Sequence, residues 1–321
     1  MTLSPAIAAE PTQKSRKVGD VVFLNMTRGF AGLVLLLLGA IIVSLLFGAA
    51  PAFRKFGFAF FTHASWNPVT ENFGGLSPII GTIESSFIAL LIGVPISFGV
   101  AFFLTELSPA RLKRPIATAI ELLAGVPSII YGMWGLFVLA PFLATDVQPW
   151  MIDHLGELPV VGALFEGPPF GIGMLTAGLI LGIMVLPFIS SVMRDAFETV
   201  PAMLRESAYG LGCTTWEVSW RVVLPYTRTS VIGGVMLGLG RALGETMAVT
   251  FVIGNAHRIS ASLFAPSNTI SSVLANEFTE AVGDIYLSSL IALGLILFLI
   301  TFIVLAAAKL MLARLKLRAG S

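Results

Sequence analysis

The residues best suited to chemistry in this 321-residue chain sit in one glycine-rich apolar run, Gly238-Leu-Gly-Arg-Ala-Leu-Gly-Glu-Thr-Met-Ala-Val249. Arg241 follows Arg228 by thirteen residues. At the rise of a helix that is about 20 Å, deep in the hydrocarbon of any membrane the helix crosses. A bare guanidinium there costs at least about 2.5–3.5 kcal/mol, so Arg241 must face a cavity or a partner rather than lipid. Glu245 is four residues on, so a continuous helix puts it on the same face, where it neutralises the arginine. Thr246 adds a hydroxyl. Two readings are open. Arg241 and Glu245 form a structural ion pair between packed helices, or Arg241 lines a path and meets an anion while Glu245 tunes its charge. The planar fork of a guanidinium suits a tetrahedral oxyanion. Under either reading, Gly233, Gly234, Gly238, Gly240 and Gly244 let another helix approach closely.

Other chemistries find no support. No phosphate-cradling Gly-x-x-x-x-Gly-Lys-Ser/Thr loop and no His-Glu-x-x-His pair occurs in the sequence. The histidines, His63, His154 and His257, are far apart, and the single Cys213 leaves no disulfide or multi-cysteine metal site. The expectation is a chain without catalytic residues, metal, cofactor or nucleic-acid partner. Glu84 and Glu121 fall near the ends of apolar runs, at an interface or buried. Pro95, Pro127 and Pro187 either kink their helices or are tolerated in packing.

The second informative stretch is Pro201-Ala-Met-Leu-Arg-Glu-Ser-Ala-Tyr-Gly-Leu-Gly-Cys-Thr-Thr-Trp-Glu-Val-Ser-Trp-Arg-Val-Val-Leu-Pro225. Propensity predicts a helix over about Met203–Tyr209, a turn at Gly210 and Gly212, and a second helical turn capped by Thr215. Trp216, Trp220 and Val223 then share one face. Leu224-Pro225 is expected to end the segment, since proline lacks a donor and disfavours helix before it. Such a short amphipathic pair of helices is a shape for docking a partner. The stretch resembles the coupling loop of ABC importer permeases, with Glu206, Ala208, Gly212, nine residues, then Val222, Leu224 and Pro225 in the family's spacing. Ser207 and Val222 replace its middle alanine and its isoleucine. The resemblance implies that the loop seats in a cleft of a separate ATPase subunit, which supplies the hydrolysis.

The elements that must hold these residues are membrane helices. Hydrophobic residues make up 56% of the chain and charged ones 12%, about half the charged share of a soluble domain. Six runs are long enough to span: about Phe30–Leu46, Ile83–Leu104, Pro115–Leu143, Leu175–Met193, Ser230–Ile253 and Ser288–Leu312. They lack the alternation of a membrane β-strand. The first is expected to be a retained helix rather than a cleaved signal, because its apolar core is too long. With the N-terminus inside, fifteen of the nineteen Lys and Arg fall on the inner side and three (Arg54, Lys55, Arg258) outside. That asymmetry predicts both termini in the cytoplasm. The fold class expected is therefore all-α: a mobile cytoplasmic tail at 1–20 and one six-helix membrane domain at 21–321, with its cytoplasmic loop at about 196–225.

The Arg241 stretch also resembles the phosphate-importer permeases, in which Gly-Arg-Ala-Ile/Leu-Gly-Glu-Thr-Met-Ala is a recognisable string. Gly125-Val-Pro-Ser-Ile-Ile-Tyr-Gly132, Trp66-Asn-Pro and Gly81-Thr82 agree, and the combination is similar to the PstC type, from about Val22 to Arg314. The resemblance implies a type I importer permease in the bacterial inner membrane. Its implied partners are a PstA-type permease (as a heterodimer), two PstB-type ATPase subunits and a periplasmic phosphate-binding protein. Alternating access would be driven by ATP. Rival readings are the same fold serving sulfate or molybdate, and an ATP-independent channel or secondary transporter.

Overall fold

The computed structural model describes residues 18–159 and 161–319. Of the expected tail at 1–20, positions up to 17 lie outside the described residues, while Val18–Asp20 open the first helix, α1 (Val18–Phe56). The chain divides into two units between Phe47 and Gly48. The described part of the first unit, residues 18–47, is helix throughout, and Leu33 to Leu38 are all exposed along it. An unbroken run of exposed leucine and valine is stable only against hydrocarbon or another apolar face.

The second unit begins with the last turns of α1. A small hairpin, β1 (Trp66–Asn67) and β2 (Asn72–Phe73), pairs Trp66 with Phe73. Apart from a single turn at Ala59–Thr62, the helices that follow are α2 (Leu76–Leu107), α3 (Ala110–Ala124), α4 (Ser128–Leu155), α5 (Met174–Glu198), α6 (Ala202–Gly210) and α7 (Thr215–Leu243). Then come α8 (Met247–Val252), α9 (Ile270–Glu277) and α10 (Asp284–Ala319). Among the described residues, six helices, α1, α2, α4, α5, α7 and α10, are long and apolar enough to cross a membrane. That matches the number expected.

Two of the expected spans are drawn differently. The run Pro115–Leu143 is interrupted at Gly125–Pro127, where Pro127 is extended at ψ 137°. Its ring fixes φ and removes a donor, so α3 ends and the span starts afresh at Ser128. The amphipathic α3 buries no residue of its own. The run Ser230–Ile253 is not one helix either. It belongs to α7, which begins at Thr215, and to α8, with Gly244–Thr246 non-helical between them.

Proline also explains the irregular turns. Wide, π-type turns occupy Phe103–Leu107, Gly135–Leu139, Leu143–Val147 and Ser219–Val223. Each ends two residues before a proline: Pro109, Pro141, Pro149 and Pro225. A proline ring collides with the carbonyl four residues back, and a turn wound one residue wider moves that carbonyl away. Pro225 therefore does not end the helix as expected; α7 runs straight through it.

The centre of the second unit is α5, whose Ile180, Leu181, Met184, Val185, Ile189 and Met193 are buried. It is approached by small residues. A Cβ at Gly178 would overlap Ile88 of α2, and one at Gly238 of α7 would come within 2.5 Å of Ile189 Cδ1. Gly234 likewise faces Val192 at 3.0 Å, but nothing lies within 4 Å of Gly233. Only part of the expected glycine set thus serves close packing. Ser288 of α10 joins the end of α1, receiving the Ala52 N–H at 2.9 Å and donating to Gly48 O at 2.8 Å.

Candidate functional site

Arg241 sits on the last turn of α7, exposed, with its guanidinium carbon 4.2 Å above the Phe188 ring of α5. The ring's negative face holds the cation in place without neutralising it. The expected partnership with Glu245 does not form. Four-residue spacing aligns side chains only while the helix continues, and here it stops at Leu243. Glu245 Oε1 instead accepts the Ala248 N–H at 3.2 Å, satisfying an orphan donor at the start of α8. Thr246, half-buried, donates weakly to Gly244 O at 3.4 Å. No carboxylate lies within ion-pair distance of Arg241 among the described residues. Its full charge remains available to an anion.

Two other motifs pack through a glycine, one beside the break and one against the turn at Asn268. Gly132 of α4 meets α8: a Cβ there would lie 2.9 Å from Phe251 and 3.1 Å from Ala248. The third-span motif therefore supports the break that carries Glu245 and Thr246. At the N-terminal end of α2, Gly81 touches the Asn268 carbonyl so closely that a Cβ would overlap it. Thr82 Oγ1 accepts the Ile270 N–H at 2.9 Å.

Between α5 and α7 the chain forms the loop of α6, Gly212 and the first turn of α7. Gly212 has φ +88°, a left-handed conformation that side chains resist. Thr214, not Thr215, is the cap. Its Oγ1 accepts the Glu217 N–H at 3.4 Å, and Glu217 returns to the Thr214 N–H at 3.0 Å, a reciprocal capping box. Trp216 and Trp220 stack on one another, with centroids 5.5 Å apart, and meet Phe102 and Phe98 of α2 edge-on. On α6, Ala208 is buried while Met203 and Glu206 face outward, and Leu211 beyond it is 87% exposed. Val222 and Leu224 are half-buried and Pro225 is exposed. Arg205, on the inward side, pairs with Glu106 of α2 at 3.0 Å. Glu106 carries no signal in sequence beyond ending an apolar run.

At the opposite end of the second unit, Glu277 is a hub. Its Oε2 accepts from Trp66 Nε1 at 2.6 Å and from Tyr286 at 2.7 Å, and its Oε1 lies 2.6 Å from His257 Nε2. Ser77 donates to Asn268 Oδ1 at 2.9 Å, so the Asn268 amide donates to His257 Nδ1 at 2.8 Å and the ring proton belongs on Nε2. Burial pushes the Glu277 carboxyl up, but the hydrogen bonds from His257, Tyr286 and Trp66 outweigh it and hold the group below its ordinary 4.5. No spacing in the sequence announces this cluster. Elsewhere, Glu84 is half-buried in α2, Glu121 is exposed and bound to Arg194 at 2.7 Å, and His154 stacks on Trp150.

Residues 93–317 match the family described as binding-protein-dependent transport system inner membrane component. The chain belongs to this family. Among relatives of this inner membrane component, the "Phosphate transport system permease protein PstC" of Mesorhizobium japonicum is 61% identical over 99% of this chain and 98% of its own. The protein of the same name from Pasteurella multocida is 57% identical, covering 97% of each chain. In three dimensions the chain resembles a bacterial alginate ABC transporter, with a TM-score of 0.59 at 20% identity over 91% of this chain and 97% of the other. It also resembles the MetNI methionine ABC transporter in an inward-facing conformation, with a TM-score of 0.54 at 15% identity over 74% of this chain and 94% of the other. The fold is thus that of ABC importer permeases, and this inner membrane component is a transport subunit rather than an enzyme.

Proposed function

We propose that this chain is a permease subunit through which inorganic phosphate enters the cytoplasm. The observation that carries the reading is 61% identity, across 99% of the chain, to a relative named as a phosphate permease. Arg241 supports it from physics: a guanidinium held on a ring and free of carboxylates is suited to a phosphate oxyanion. Glu245 and Thr246 shape the break beside it. The loop residues Glu206, Ala208, Gly212, Val222, Leu224 and Pro225 dock a PstB-type ATPase, two copies of which power alternating access. A PstA-type permease completes the path as a heterodimer, and a periplasmic phosphate-binding protein delivers the substrate. Fifteen of nineteen basic residues on one side argue for both termini in the cytoplasm.

The test is energised uptake of radiolabelled phosphate by the reconstituted complex, wild type against Arg241→Gln, with sulfate and molybdate as competitors. Uptake should collapse in an Arg241→Gln complex that still assembles. Undiminished uptake would reduce Arg241 to a packing residue, and effective competition by sulfate or molybdate would move the substrate to another oxyanion.

A further inference from the structure

Among the described residues, Arg205 is the one side chain of α6 that ties the loop by charge to the spans behind it. Its Nη1 lies 3.0 Å from Glu106 Oε1 at the end of α2, where the Glu106 side chain is only 6% exposed. Its Nη2 donates to the carbonyl oxygen of Phe197 in the last turn of α5. One planar guanidinium therefore bridges three elements: α6, α2 and α5. In the other ion pairs at this end the carboxylate is far more exposed, 46% in Lys113–Glu198 and 50% in Arg194–Glu121, and exposed pairs contribute little. A pair out of water is different, because either charge left alone loses solvation that nothing replaces. The geometry of α6 is also directional. Met203, Glu206 and Leu211 face outward, and Ala208 and Arg205 face in. Force applied to the outer face reaches the spans through these inward residues. Ala208 offers only a methyl contact, which can slide, whereas the guanidinium cannot rotate without giving up the ion pair to α2 or the hydrogen bond to α5.

We propose that Arg205, through Glu106 and the Phe197 carbonyl, is the positioning residue that makes α2 and α5 move with the loop when the partner ATPase moves it. This rests on the functional reading above. The expected consequence of cutting the link is uncoupling rather than loss of assembly: ATP is hydrolysed without moving α2 and α5. The readout is the ratio of ATP hydrolysed to phosphate transported, together with the stimulation of hydrolysis by phosphate-loaded binding protein. Both are measured on the complete complex in proteoliposomes.

Arg205→Gln and Glu106→Gln should each retain the ATPase subunits and raise the ATP-to-phosphate ratio at least about tenfold, equivalent to 1.4 kcal/mol of lost coupling. Arg205→Lys keeps the charge but satisfies only one of the two acceptors at a time, so it should raise the ratio by several-fold less. An unchanged ratio in the glutamine variants, even with a lowered melting point, would overturn the proposal. Where those variants fail to assemble, Arg205→Lys decides: a ratio equal to wild type would overturn the link, and an intermediate one supports it. A wild-type complex without phosphate-stimulated hydrolysis would overturn the functional reading and the link together. Normal wild-type coupling with unchanged coupling in every variant would overturn the link alone.

Discussion

Glu277→Gln isolates the hub at the end of the second unit where α2 and α10 begin, because it changes one oxygen to an amide without changing volume. The Trp66 and Tyr286 donors both meet Oε2, so the glutamine oxygen must stay there. Its amide is then turned to His257 Nε2, 2.6 Å away, which already carries the ring proton. Two donors face one another. The loss is one charge-assisted hydrogen bond, about 1.5–3 kcal/mol, plus an unmet buried donor at about 1–3 kcal/mol. Glu277 is 17% exposed, so water relieves part of this; about 3 kcal/mol is a fair total. For 321 residues at about 2.1 cal/mol/K each, that lowers the melting point by roughly 4–5 °C. The assay is thermal unfolding of the purified permease in nanodiscs, with the exposed neighbour Glu280→Gln as control. A melting point within about 2 °C of wild type would refute the assignment of donors and acceptors.

Acid should expose the same group. The folded pKa of Glu277 is depressed below 4.5, so its stabilisation is complete above that value and is lost as pH falls through the lower folded value. The melting-point gap between wild type and Glu277→Gln should close as pH falls below about 5; a gap unchanged between about pH 5 and 3 would contradict this. Gly81→Ala, which overlaps the Asn268 carbonyl, should destabilise by at least about 1–3 kcal/mol, whereas Gly233→Ala, with nothing within 4 Å, should be neutral or gain up to about 1 kcal/mol. Equal melting points for the two variants would refute the packing described. Gly212→Trp should abolish co-purification of the ATPase subunit while membrane insertion stays normal, and intact assembly with transport would remove the loop from docking. Thr214→Ala, losing the capping box, should cost about 0.5–2 kcal/mol locally, read as faster hydrogen exchange over residues 214–218.

The spans were legible in the sequence because lipid demands long apolar runs regardless of tertiary detail. The loop was legible because its glycine, cap and tryptophans act over a few residues. What escaped depended on local backbone choices and on distant partners. An apolar run containing Gly244 reads as continuous helix, since membrane helices tolerate glycine; the break shows only once Glu245 turns to cap α8. Pro225 reads as a stop, because composition alone does not reveal that Ser219–Val223 is wound one residue wider. Trp66, His257, Glu277 and Tyr286 come from four segments, and no local pattern links them. Glu106 and Arg205 lie 99 positions apart in sequence and meet for the same reason.

The wide turns before Pro109, Pro141, Pro149 and Pro225 bear on how such chains tolerate change in length. Each holds one residue more than an α-helical turn spanning the same rise, so the extra residue is absorbed within one revolution. Removing a single residue between Ser219 and Val223 would return that turn to α-helical width and leave Arg241 over the Phe188 ring and Gly234 and Gly238 toward α5. The cost would fall on Pro225, whose ring would again crowd the carbonyl one turn back. A lone deletion in the regular part of α7, between Tyr226 and Val235, has no wide turn to absorb it, would swing Arg241 by about 100°, and should therefore be the more harmful of the two.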